Sequence, residues 1–143
     1  MMDAAHWETQ IEQEVARTAH ALHQALSRDL SPLGVSCRQA QVLLLLRRYS
    51  ELSQRQLARM LGIEPATLSG ILDRMERDGL INRIRHESDR RKSTIVVRSS
   101  CERLCKAASE CVAALMNKAI AGIAPEELNA LRKSLKSITD NLQ

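Results

Sequence analysis

Residues 53–79 read SQRQLARMLGIEPATLSGILDRMERDG. Ser53 followed three residues later by Gln56 has the form of a capping box, in which side chain and backbone satisfy each other's open hydrogen bonds at a helix start. Leu57, Ala58, Met60 and Leu61 then give barely two helical turns before Gly62, a residue suited to the left-handed backbone that ends a helix. Pro65 fits the first position of a new helix, and Leu68, Ile71, Leu72 and Met75 mark its buried face until Gly79. Two short helices therefore bracket a sharp turn at 61–64.

Downstream of Gly79 the apolar period changes from helical to two. Thr94-Ile95-Val96-Val97 is β-branched throughout, a partner strand is predicted around Leu80 to Arg85, and the tip between them, His86 to Lys92, is polar and basic. Upstream, Ile11, Val15, Ala19, Leu22 and Leu26 recur at helical spacing from about Trp7 to Leu30, with Pro32 and Gly34 as the stop. Ser36 with Gln39 is a second capping box, opening a helix through the all-apolar run Val42 to Leu46, the predicted buried centre. After the hairpin, Ser99 with Glu102 reads as a cap for a helix to about Ala121. Pro125 opens the last helix, whose Leu128, Leu131, Leu135, Ile138 and Leu142 form a stripe that needs a partner helix.

Composition supports a mainly α fold. The chain has 143 residues, 44% hydrophobic and 27% charged, with Trp7 and Tyr49 as its only aromatics, so the core must be aliphatic. No signal-like segment and no run long enough to span a membrane is present, which predicts a cytoplasmic protein without membrane association. Cys37, Cys101, Cys105 and Cys111 form no CxxC pair and are expected to be free thiols. The net charge of +4 is uneven: residues 47–98 hold 12 Lys or Arg against 7 Asp or Glu, while the remainder holds 9 against 10. The middle of the chain faces an anion.

Ala58 is small where two helices must approach and Gly62 sits in their turn, the steric signature of a helix-turn-helix. A two-stranded wing after it makes a winged helix. Here the chain resembles the MarR family of winged-helix transcription regulators, over nearly its whole length. The matching residues are Leu33-Gly34-Val35-Ser36 with Gln39, Leu52-Ser53-Gln54 with Leu57-Ala58, Leu72-Asp73-Arg74-Met75-Glu76 with Gly79-Leu80-Ile81, and Asp89-Arg90-Arg91 in the wing. The resemblance implies one MarR-type domain, with 1–34 and 99–143 as dimerisation helices and 35–98 as a DNA-binding lobe. It further implies a homodimer on a pseudo-palindromic operator in double-stranded DNA, commonly a repressor released by a small-molecule inducer or by thiol oxidation, with no cofactor. The chain departs from the family at Val97-Arg98, where Leu-Thr is frequent, and at Ser69 and Gly70, near which a longer polar or basic side chain is common.

The helix from Pro65 points its N–H groups and positive dipole end at DNA, so Ala66, Thr67, Ser69, Gly70 and Arg74 are the expected recognition residues. Thr67 can bond a base edge, and its methyl or that of Ala66 can touch a thymine methyl. In the wing, Arg90 or Arg91 can enter the minor groove, with Lys92 at a phosphate and Asp89 orienting an arginine such as Arg91 or Arg83. Ser53, Gln54, Arg55 and Arg77 are expected phosphate contacts, although Arg74 and Arg77 could equally pair with Asp73, Glu76 or Asp78 on a solvated face.

Arg17, His20, Arg38 and Gln41 are candidates for an inducer cleft. Cys37, at a helix N-terminus where a thiolate is stabilised, is the first candidate for a redox thiol. His20 and His23 stand three apart, but packed or solvated histidines are far commoner than ligands, and no metal site is predicted. There is no phosphate loop, nucleophile elbow or spaced carboxylate pair, so an enzyme is not expected. The rival readings are a winged-helix protein interaction module and a thiol-based redox sensor without direct operator binding.

Overall fold

Helix starts and stops follow from local hydrogen bonding. The computed structural model describes residues 4–143, with the backbone alone for 4–6 and 90–92. The first helix, α1, runs Ala4–Leu30, and a 3-10 turn at Ser31–Leu33 ends at Gly34. Ser36 Oγ accepts from the Gln39 N–H at 3.1 Å while the Ser36 N–H donates to Gln39 Oε1 at 3.0 Å, and α2 follows as Cys37–Arg48. Ser53 and Gln56 make the same exchange at 3.1 and 2.9 Å to open α3, Gln54–Leu61. Gly62 closes α3 at φ 64°, a conformation that costs an L side chain about 1 kcal/mol. The chain turns there into α4, Pro65–Arg77.

Strands β1, Ile81–His86, and β2, Asp89–Val97, form an antiparallel pair joined through 87–88. The ladder is regular from Ile81↔Val97 to Arg85↔Ser93 and then skips to His86↔Asp89. The hairpin is thus longer and tighter than the sequence predicts. What was expected as a polar loop, 86–92, is mostly strand, and 90–92 occupy a bulge that pushes the strand out of register. An isolated bridge between Ser53 and Thr94 ties the start of α3 to the base of the wing.

The expected cap at Ser99 does not form. Ser99–Cys101 is a 3-10 turn with Arg98 as its N-cap, and the Cys101 N–H donates to the Arg98 carbonyl at 2.9 Å. A backbone bond does the work assigned to the serine side chain, so α5 begins only at Glu102 and runs to Ala119. The last helix, α6, covers Pro125–Leu142, its first turn closed by the Ala124 N–H donating to Glu127 Oε2 at 3.1 Å.

The chain divides into two compact units, Met1–Cys111 and Val112–Gln143. In the first, Leu43, Leu46, Leu57, Leu68, Leu72, Met75, Ile81 and Ile95 are among the side chains of one aliphatic core, joined by Cys101 and Cys105. Trp7 and Tyr49 are both exposed and absent from it, as the composition required. Within the second unit α6 buries no residue: Leu131 is 52% exposed and Leu135 42%. Ile11 and Val15 of α1 are likewise exposed, so the stripes near both chain ends lie open on a single chain. No helix among the described residues is long and apolar enough to cross a membrane.

Candidate nucleic-acid interface

Leu68, Ile71, Leu72 and Met75 anchor one side of α4 in the core, which leaves the other side to solvent. Pro65, Ala66, Thr67 and Gly70 are exposed and Ser69 is half-buried. The helix start carries no side-chain cap, so its first N–H groups and positive dipole end face outward. A Cβ built on Gly70 meets nothing within 4 Å, so no contact inside the chain requires glycine there. The surface presented is a smooth strip of methyl and hydroxyl groups.

One contact that sequence reasoning missed fixes this strip to the wing. Arg83 on β1 donates from Nη1 to Asp73 Oδ1 at 2.7 Å and from Nη2 to the Ser69 carbonyl at 3.2 Å, both on α4. Its Nε is buried without a hydrogen bond, 3.7 Å from Glu76 Oε2. The side chain is only 22% exposed, whereas Asp73 and Glu76 are far more open. Arg83 thus positions α4 against the wing and lies beside the two acidic groups of that helix. The sequence offered Arg83, alongside Arg91, as an arginine for Asp89 to orient; the ion pairs of Arg83 in the structure are with Asp73 and Glu76. The signal that could have found the true partner is the i,i+3 pair Asp73 and Glu76, one acidic edge along a helix that is otherwise uncharged until Arg74.

With those carboxylates engaged, the cations nearby are available to a ligand. Among the described residues Arg55, Arg74 and Arg77 form no ion pair; Arg74 bonds only the Gly70 carbonyl, at 3.3 Å. A groove of about 770 Å³ between the start of α3 and the wing is lined by Ser53, Gln54 and Arg55 on one side and His86, Ser93 and Thr94 on the other, with Glu51 at its edge. His86 Nε2 lies 2.7 Å from Thr94 Oγ1 across the strands. Asp89 is half-buried, and the side chains of Arg90, Arg91 and Lys92 lie outside the described residues.

Of the predicted inducer residues, the structure brings Arg38 and Gln41 together. Arg38 Nη1 donates to Gln41 Oε1 at 3.1 Å on α2, whereas Arg17 and His20 are exposed on α1 and Arg17 lies 3.6 Å from Glu14. His23 is exposed as well. Cys37 is 3% exposed, and burial pushes its thiol pKa up although Arg38 pulls the other way. Desolvation outweighs the Arg38 charge there, the reverse of what a reactive thiolate needs. All four cysteines are free; Cys105 is buried with its pKa raised by desolvation, and Cys111 is the most open.

Residues 35–93 match the sequence profile of the MarR family. The chain is 33% identical to the transcriptional regulator PA3341, whose crystal structure superposes with a TM-score of 0.82 over 92% of this chain and 97% of that one. The chain belongs to the MarR family. It is a DNA-binding transcriptional regulator with the winged-helix fold, and MarR-family members are regulators rather than enzymes. CouR from Rhodococcus jostii RHA1, solved with p-coumaroyl-CoA bound, is 27% identical, with a TM-score of 0.79 and 90% of each chain covered. S. aureus MepR, solved as a DNA complex, shares the MarR fold at 21% identity, with a TM-score of 0.85 over 93% of this chain and 98% of that one.

Proposed function

We propose that this chain is a homodimeric repressor that occludes a promoter by binding a pseudo-palindromic operator, and that a small-molecule inducer releases it. In this reading 1–34 and 99–143 pair two copies, and 35–98 is the lobe that each copy presents to DNA. The observation that carries the proposal is α4: its apolar side is locked in the core while a small, uncharged strip faces out, with Arg83 holding that strip to the wing. The strip suits the bottom of a major groove, where short side chains let the helix approach base edges and thymine methyls. Affinity then comes from the cations around it, Arg55, Arg74 and Arg77, and from Arg90, Arg91 and Lys92 of the wing, with Asp89 orienting an arginine. The open stripes of α1 and α6 supply the apolar surface for a second copy. Two such lobes match an inverted repeat. Relief by a small molecule draws support from the likeness to CouR, which was solved with a ligand bound. Thiol control is the weaker route, because Cys37 and Cys105 are buried with raised pKa values.

The wing test is a salt titration of duplex binding with Arg90→Ala and Arg91→Ala combined. Each phosphate neutralised contributes about 0.9 to the slope of log K against log salt, so a dimer losing four wing cations is expected to show a shallower slope, by at most about 3.6. Unaltered binding by the double variant contradicts the wing assignment.

A further inference from the structure

We propose that α2 and α4 together form a seat for one DNA phosphate, with Arg38 and Arg74 as its cations. The proposal rests on the DNA-binding reading and extends it to a residue that sequence reasoning had placed in an inducer cleft. A cavity of about 360 Å³ is lined by Ser36, Arg38, Gln39, Thr67, Ile71 and Arg74, without a carboxylate. Arg38 is steadied by the neutral amide oxygen of Gln41 and Arg74 by the neutral Gly70 carbonyl, so both guanidinium groups are oriented while their charge stays uncompensated. Each guanidinium has five N–H donors and spends one in these contacts, leaving the rest for the oxygens of a single anion. The Thr67 hydroxyl adds a neutral donor from α4.

Position favours a backbone phosphate over a small carboxylate effector. Thr67 and Arg74 are seven residues apart, on nearly the same side of α4, and Thr67 belongs to the strip that faces the base edges. A phosphate held there lies at the rim of the groove that α4 enters. Ile71 is the one aliphatic residue of the lining, and it is buried, so a lipophilic ligand would find no aromatic and no second aliphatic side chain to pack against. Because α2 is rooted in the core through Val42, Leu43 and Leu46, a phosphate gripped by Arg38 sets how deeply Thr67 reaches toward the bases. The seat is therefore a register device as well as a source of affinity.

The test uses the full chain and a duplex that the wild-type protein itself selects from random sequence. Arg38→Gln and, separately, Arg74→Ala are titrated against salt on that duplex and on an unrelated one. Each variant is expected to weaken both complexes, with the salt slope shallower by about 1.8 for two seats per dimer. Arg38→Lys should recover most of the slope. Ethylation interference should show one phosphate per half-site whose modification weakens the wild type and is indifferent to Arg38→Gln. The seat is overturned if both variants keep the wild-type slope, or if Arg38→Gln changes only the response to an added effector while DNA binding stands. Failure of the wild type to retain any duplex at low salt overturns the DNA-binding reading and the seat with it.

Discussion

Replacing Arg83 by alanine is expected to lower operator affinity by on the order of ten- to a hundredfold while leaving the fold in place. The reason is electrostatic. Arg83 spans from β1 to the Asp73 carboxylate and the Ser69 carbonyl, with Glu76 beside its Nε. Without it, two carboxylates per protomer stand unneutralised on the helix that approaches DNA, and the wing loses its tether to that helix. The stability cost is small, about 1 kcal/mol, because the acidic partners are largely solvated. Thermal unfolding should therefore shift by only a few degrees. Combining Asp73→Asn and Glu76→Gln with the alanine variant should recover much of the lost affinity, since it removes the charge although the tether is still missing. Lysine at 83 should fall between, keeping the charge but losing the fork that serves two acceptors at once. An Arg83→Ala protein that binds as wild type contradicts this role.

The second large effect is expected at α6. Leu131→Glu with Leu135→Glu should convert the protein to a monomer by sedimentation and reduce operator affinity by about two to three orders of magnitude, because the two half-sites are then no longer engaged by one linked pair of lobes. Both leucines are exposed on a single chain and α6 buries no residue, so the substitutions leave the buried core intact. Far-UV dichroism should remain helical. A variant that sediments as a dimer with intact operator affinity contradicts the assignment of α6 to the interface.

Local chemistry was legible from the sequence, and contacts between distant residues were not. The Ser36/Gln39 and Ser53/Gln56 boxes involve atoms three residues apart, and both form with the expected exchange of hydrogen bonds. Ser99 and Glu102 have the same spacing and fail for two reasons. The Arg98 carbonyl captures the Cys101 N–H in a 3-10 turn, and Glu102 is drawn away to Arg47, 2.6 Å distant on α2. That pairing spans 55 positions, and no local pattern announces it. Arg83 shows the same limit, since its partner Asp73 lies ten positions away on another element. Arg38 and Gln41, three apart on α2, share a hydrogen bond, but spacing along a helix does not reveal what packs opposite. Arg38 faces Thr67 and Arg74 of α4 on one side and, with Gln41, Met60 and Leu61 of α3 on the other. Cys37 illustrates the same limit at one residue: its place at a helix N-terminus is readable locally, whereas the burial that raises its pKa comes from the tertiary packing.

The central claim, a dimeric reader of duplex DNA, is tested most directly by selecting genomic fragments with the purified full-length protein and footprinting the best of them in low salt. The account predicts protection of an inverted repeat whose half-sites lie about one helical turn apart, with binding that weakens steeply as salt rises. Failure to enrich any duplex, in reducing and in oxidising buffer alike, would contradict it and favour a winged helix used for protein contacts.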